Sequence, residues 1–110
     1  MKKNKEHVVG SGNVFQDLGF KAPEKELAKV KLASIINDLI EERKLTQQEA
    51  AAILDVNQPK ISALKNGRLK GFSIERLFSF LEKLDQHIEI KVIPRSKVKE
   101  EGSIDIAHVH

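Results

Sequence analysis

Residues 56–74 of this 110-residue chain contain neither Asp nor Glu, yet Lys60, Lys65, Arg68 and Lys70 all fall inside that stretch. Cations unrelieved by carboxylates attract a polyanion, although a solvated basic loop has the same composition. The overall charge of +3 points the same way only weakly, so the distribution matters more than the total. Gln47 and Gln58 add carboxamides, and a glutamine at the front of a helix can bond bidentately to N6 and N7 of adenine. Elsewhere on a helix such side chains are ordinary solvated surface.

Other chemistry finds little support. With no Cys there can be no disulfide framework, zinc finger or thiol nucleophile. His7, His87, His108 and His110 are scattered, and His108-Val109-His110 in a polar tail does not make a defined metal site. Glu41 and Glu42 are neighbours on a helix and so point apart. Neither a Gly-rich phosphate loop nor a nucleophile–base pair occurs. The expectation is a protein that is not an enzyme and takes no cofactor and no metal.

Positioning the basic stretch and its glutamines requires helices. Pro23 suits a helix N-terminus, and Glu24 and Glu26 suit the positive end of its dipole. From there Leu27, Ala28, Leu32, Ile35, Ile36, Leu39 and Ile40 recur at helical spacing to about Arg43, with Asn37, Asp38, Glu41 and Glu42 mostly outward. Thr46-Gln47-Gln48-Glu49 is a capping-box pattern that opens a short Ala-rich helix to about Leu54. Asp55-Val56 makes a turn and Asn57 is a second N-cap candidate. Pro59 is tolerated only in the first turn of the helix that Asn57 starts, which Gly67 then ends. Ser73 caps a further helix with Ile74, Leu77, Phe78, Leu81 and Leu84 on one face.

His87 to Ile93 alternates apolar and polar residues before Pro94, the pattern of a strand. A lone strand leaves its backbone unpaired, so it needs a mate, either Val8-Val9 or the same strand of a second protomer. Residues 1–22 read as an arm with apolar anchors at Val8, Val9, Val14, Phe15, Leu18 and Phe20. Residues 95–110 read as a polar, frayed tail. The domain proper is expected over residues 23–94. No stretch approaches the ~20 apolar residues that cross a bilayer, and the basic N-terminus lacks an apolar h-region. A soluble, cytoplasmic protein is expected.

The segment Gln47 to Gly67, QQEAAAILDVNQPKISALKNG, reads as one unit. Two helices that cross closely need a small residue midway along the first, which Ala51 supplies. Val56, Ile61 and Leu64 have the spacing to pin the second helix, leaving Gln58, Lys60, Ser62, Ala63 and Lys65 to project away from the core. From Leu45-Thr46-Gln47 through Lys65-Asn66-Gly67 the chain resembles the phage-repressor-like XRE, or Cro-type, helix-turn-helix family. It departs at Asp55, where the family usually has Gly. Asn13-Val14-Phe15-Gln16-Asp17-Leu18-Gly19-Phe20, Gln58-Pro59-Lys60-Ile61-Ser62 and Gly71-Phe72-Ser73 are further similar to HigA-type antitoxins, which commonly partner a RelE/HigB-like toxin.

The resemblance implies an all-α bundle of four to five helices with one C-terminal β-strand, paired across a homodimer. It also implies sequence-specific binding of double-stranded DNA, as an autoregulating repressor and antitoxin reading an inverted-repeat operator. Gln47 is placed at a phosphate by the resemblance and by its helix N-terminus. Gln58 is expected to read a base. Pro59 and Ala63 match base-facing positions but can at most touch a thymine methyl, while Lys60 and Ser62 read bases or grip backbone. Lys65 projects from the same helix toward the DNA, and Asn66, Arg68 and Lys70 are assigned to phosphates. The arm around Phe15 to Phe20 and the acidic face of Asp38, Glu41 and Glu42 are the candidate toxin surfaces. Two alternatives stand beside this reading: a stand-alone regulator without a toxin, and an interaction domain on the same scaffold.

Overall fold

The computed structural model describes residues 22–94 and 105–109, within which there are four helices. We number them α1 (Ala22–Glu42), α2 (Gln47–Leu54), α3 (Gln58–Lys65) and α4 (Ile74–Lys83). The apolar face of α1 packs chiefly along α4, α2 packs against α3, and further contacts join α1 to α3 and α2 to α4.

Local chemistry sets the beginnings of the last three helices. The Thr46 hydroxyl accepts from the Glu49 amide at 3.0 Å, and the Glu49 carboxylate accepts from the Thr46 amide at 2.8 Å. Asn57 accepts from the Lys60 amide through its side-chain oxygen at 3.0 Å, and Pro59 stands in the first turn of α3, where it displaces no intrahelical bond. Ser73 accepts from the Arg76 amide at 3.1 Å.

The helix ends share a different device. Lys44 (φ 55°), Asp55 (φ 59°), Gly67 (φ 74°) and Asp85 (φ 66°) each turn the chain through the left-handed region just past a helix. After α1, the Leu45 amide reaches back to the Ile40 carbonyl at 3.1 Å; after α3, Arg68 reaches Ala63 at 2.9 Å; after α4, Gln86 reaches Leu81 at 3.0 Å. These are the six-to-one bonds of the Schellman motif, and Val56 to Ala51 at 3.0 Å closes α2 likewise.

Side chains from other helices bind several of the same ends. Asn37 of α1 donates to the Leu64 carbonyl of α3 at 3.2 Å. Lys83 of α4 donates to the Leu54 carbonyl of α2 at 3.5 Å. Arg43 donates to the Leu84 carbonyl and lies 3.7 Å from the Asp85 carboxylate.

The core is aliphatic with two aromatic rings. Ile36, Leu54, Leu64, Leu77 and Leu84 are the largest fully buried side chains, and Phe72 and Phe80 meet edge to face at 5.9 Å. Among the described residues no polar or charged residue is buried. Leu27, which shares the apolar periodicity of α1, is 53% exposed, as is its neighbour Val30 at 55%. Helical period alone counts more apolar positions than the other three helices can cover. Asn37, expected outward, is half-buried because it satisfies the end of α3.

The expected strand is not seen as a ladder among the described residues. Residues 87–93 carry a single bridge position, at Lys91, and the alternation holds only to that point: Ile88 and Ile90 are half-buried while His87, Glu89 and Lys91 are exposed, but Val92 and Ile93 are exposed as well. The end of the expected polar tail lies against the domain, because Ile106 packs on the core and His108 approaches the Gln86 carboxamide at 3.4 Å. The N-terminal arm, with Val8, Val9, Val14, Phe15, Leu18 and Phe20, lies outside the described residues, as do residues 95–104.

Candidate nucleic-acid interface

Two short helices and the turn between them build the site. Ala50 is fully buried and Ala51 is 7% exposed on α2, while Ile61 and Leu64 are buried on α3. With only methyl groups midway along α2, α3 can lie close to it. Val56, half-buried, fills the turn. The turn residue Asp55 takes the left-handed conformation (φ 59°, ψ 48°) that glycine adopts most cheaply. A short polar residue is among the few that tolerate it.

Burial of Ile61 and Leu64 fixes what the rest of α3 presents. On a period of 3.6 residues, Pro59, Ser62, Ala63 and Asn66 fall on the flank opposite that buried pair, and Gln58 stands at its edge. Gln58, Pro59 and Asn66 are exposed, and Ser62 and Ala63 are half-buried. The Asn66 amide approaches the Ser62 hydroxyl at 3.4 Å, so these two act as a pair at the end of the helix. Lys65, Arg68 and Lys70 are exposed beyond it. Gln47 is exposed in the first turn of α2, beside a capping box that turns the Glu49 carboxylate back onto the Thr46 amide.

Lys60 differs from the other cations. Its side chain leaves the exposed flank and lies over the loop after α3, with the ammonium 5.1 Å from the centre of the Phe72 ring. Lys29 pairs with Glu26 and Arg43 with Asp85, and no described carboxylate is paired with Lys60, Lys65, Arg68 or Lys70. The acid-free stretch is therefore a surface of cations without carboxylate partners in the described domain. Described His and acidic side chains form no cluster of three or more able to hold a metal ion. No described helix is long and apolar enough to cross a membrane.

Sequence reasoning missed two contacts at this site, Asn37 to Leu64 and Lys60 to Phe72. Each joins residues distant in sequence. The only local signal was Gly71-Phe72-Ser73, an aromatic beside a glycine just past the basic helix.

Residues 14–93 match the model of a family described as a helix-turn-helix domain, a span that includes Val14 to Phe20 of the arm. No protein of curated function matches the chain. Among solved structures, one that carries the name XRE family transcriptional regulator is 38% identical, with a TM-score of 0.76. The match covers 81% of this chain and 100% of that one. Two helices crossing at paired alanines, a capped second helix with an exposed polar flank, and these matches agree: the chain belongs to the XRE helix-turn-helix family.

Proposed function

We propose that the protein is a transcriptional regulator that binds double-stranded DNA by laying α3 in the major groove. The observation that carries this is the outward flank of α3, with Gln58 exposed at its front and cations without carboxylate partners behind it. Gln58 reads a base through its carboxamide. Gln47 meets a phosphate at the start of α2, and Lys65, Asn66, Arg68 and Lys70 hold phosphates beyond α3. Pro59 and Ala63 offer only apolar contact, and the Ser62–Asn66 pair sits where backbone or base edge can be reached. The similarity to a chain named a transcriptional regulator supports the same reading.

In the finer form of this proposal the protein acts in the cytoplasm as an autorepressor and as the antitoxin of a HigA-like pair. Two protomers would present α3 about one DNA turn apart to an inverted repeat, held together through residues 87–93 or α4. The leader Asn13 to Phe20 and the segment Gln58 to Ser62 support the antitoxin role by their similarity to that subgroup. The arm and the acidic residues Asp38, Glu41 and Glu42 are the surfaces offered to a basic toxin. Full toxin neutralisation by a chain lacking residues 1–22 would remove the arm from that role.

Fluorescence anisotropy on a duplex from the protein's own promoter, beside a scrambled duplex, tests the DNA reading. Gln58→Ala should weaken native-duplex binding about tenfold and leave the scrambled duplex nearly unaffected. With about four phosphates neutralised per protomer, the dimer's log–log salt slope should lie near −7. Equal, weak binding to both duplexes would overturn specific readout and favour an interaction domain.

A further inference from the structure

The first turn of α3 holds a cation whose position is set by residues outside the helix. Lys60 Nζ lies 5.1 Å from the centre of the Phe72 ring. A Cβ built on Gly71 would come within 3.3 Å of the same nitrogen, closer than an ordinary van der Waals contact. Glycine thus leaves room for the ammonium and the ring face attracts it. Phe72 cannot move easily, since it is 3% exposed and braced edge to face against Phe80. Arg76 lies 5.6 Å above the Phe80 ring, extending the alternation of cation and aromatic into α4. No described carboxylate pairs with Lys60.

A lysine that only covered the core would have no need of this. Its four-carbon stem could lie over apolar surface with the ammonium free in water. Here the ammonium itself is docked, at the edge of the recognition flank, and its charge is left uncompensated. Docking removes rotamer freedom that a free lysine would lose on meeting its ligand.

We propose that Gly71 and Phe72 form a seat that positions the Lys60 ammonium for a backbone phosphate of bound DNA. Phe72 is then a positioning residue, acting through Lys60 without touching DNA. The proposal rests on the reading of α3 as the recognition helix. It differs for Lys60 in assigning a sequence-independent contact, since the seat draws the side chain away from the helix front where Gln58 stands.

The test is a double-mutant cycle on the full chain, read by anisotropy on native and scrambled duplexes. Lys60→Met should weaken both duplexes alike and reduce the salt slope by about one for each protomer bound. Phe72→Leu keeps an apolar side chain but removes the ring face, and should weaken binding about two- to tenfold, the cost of ordering a lysine that is no longer held in place. Gly71→Val fills the seat from an exposed position without entering the core, so it remains informative where Phe72→Leu unfolds the domain. Neither change should add to Lys60→Met. In NMR, the Lys60 ε-methylene protons should be shifted upfield by the Phe72 ring, a signature lost in Phe72→Leu and kept in Gln58→Ala.

Two results would overturn the seat while leaving the recognition helix standing. One is Lys60→Met without effect where Gln58→Ala still weakens native binding. The other is Phe72→Leu and Gly71→Val acting as strongly in the Lys60→Met background as in the wild type. A Lys60→Met loss confined to the native duplex would make Lys60 a base reader and overturn the phosphate assignment. Failure of the wild-type chain to bind either duplex would overturn the recognition-helix reading and the seat with it.

Discussion

Replacing Asp55 by Gly should stabilise the domain, and the size of the gain follows from the turn's geometry. At φ 59° and ψ 48°, Asp55 occupies a region that costs an ordinary L-residue about 1–2 kcal/mol, less for Asp. Its carboxylate also stands at the C-terminal end of α2, where the helix dipole repels a negative charge by about 0.3–1 kcal/mol. Glycine removes both costs but adds about 0.5–1 kcal/mol of backbone entropy lost on folding. The balance is a gain of about 1 kcal/mol. For a domain of this size that raises Tm by about 5 °C. Asp55→Asn keeps the tolerance of the left-handed region and removes only the charge, so it should recover about half the gain. Asp55→Ala removes the charge but strains the backbone, and should fall below the wild type. Thermal and urea unfolding of the four proteins, followed by circular dichroism, measures the series. An unchanged or lowered Tm for Asp55→Gly would show that the carboxylate makes a stabilising contact that outweighs turn strain and dipole.

Ala51→Leu inserts three carbons at the crossing of α2 and α3; a loss of about 1–3 kcal/mol in urea unfolding is expected, with weakened DNA binding because α3 is displaced. No loss would mean that the crossing has room the structure does not show. Ser73→Ala removes the N-cap of α4 and should cost about 1 kcal/mol. DNA affinity measured well below the transition should fall only slightly, since Ser73 itself is assigned no contact with DNA although it follows Phe72 in the chain.

What could be read in the sequence was governed by short-range chemistry. Thr46 with Glu49, Asn57 with Pro59, and Ser73 each announce a helix start from within one turn, and the structure places the caps there. Ala51, Ile61 and Leu64 announced the crossing because a close approach of helices restricts residue size. What escaped depends on partners far along the chain. Asn37 looked like a solvent residue because nothing nearby says that the Leu64 carbonyl, 27 positions on, will meet it. Leu27 looked like core because periodicity records a face without recording how much of it is covered. Residues 87–91 keep the alternation of a strand and Val92 and Ile93 do not; a ladder needs a second segment, which alternation does not identify. The phosphate and base assignments along α3 rest on exposure and spacing.

Helix α3, the one proposed to read DNA, is held from three directions: Asn57 at its start, the Gly67 turn at its end, and Asn37 from α1 at the Leu64 carbonyl. A segment secured in this way has little disorder left to surrender when it docks. Association should therefore show a modest entropic penalty from the protein and a heat-capacity change close to that of surface burial alone, without the excess that marks coupled folding. Where the groove and the ridge do not match, it is the duplex that must bend or narrow. Selection among sites then includes how cheaply each DNA sequence deforms, even at base pairs that no side chain reaches.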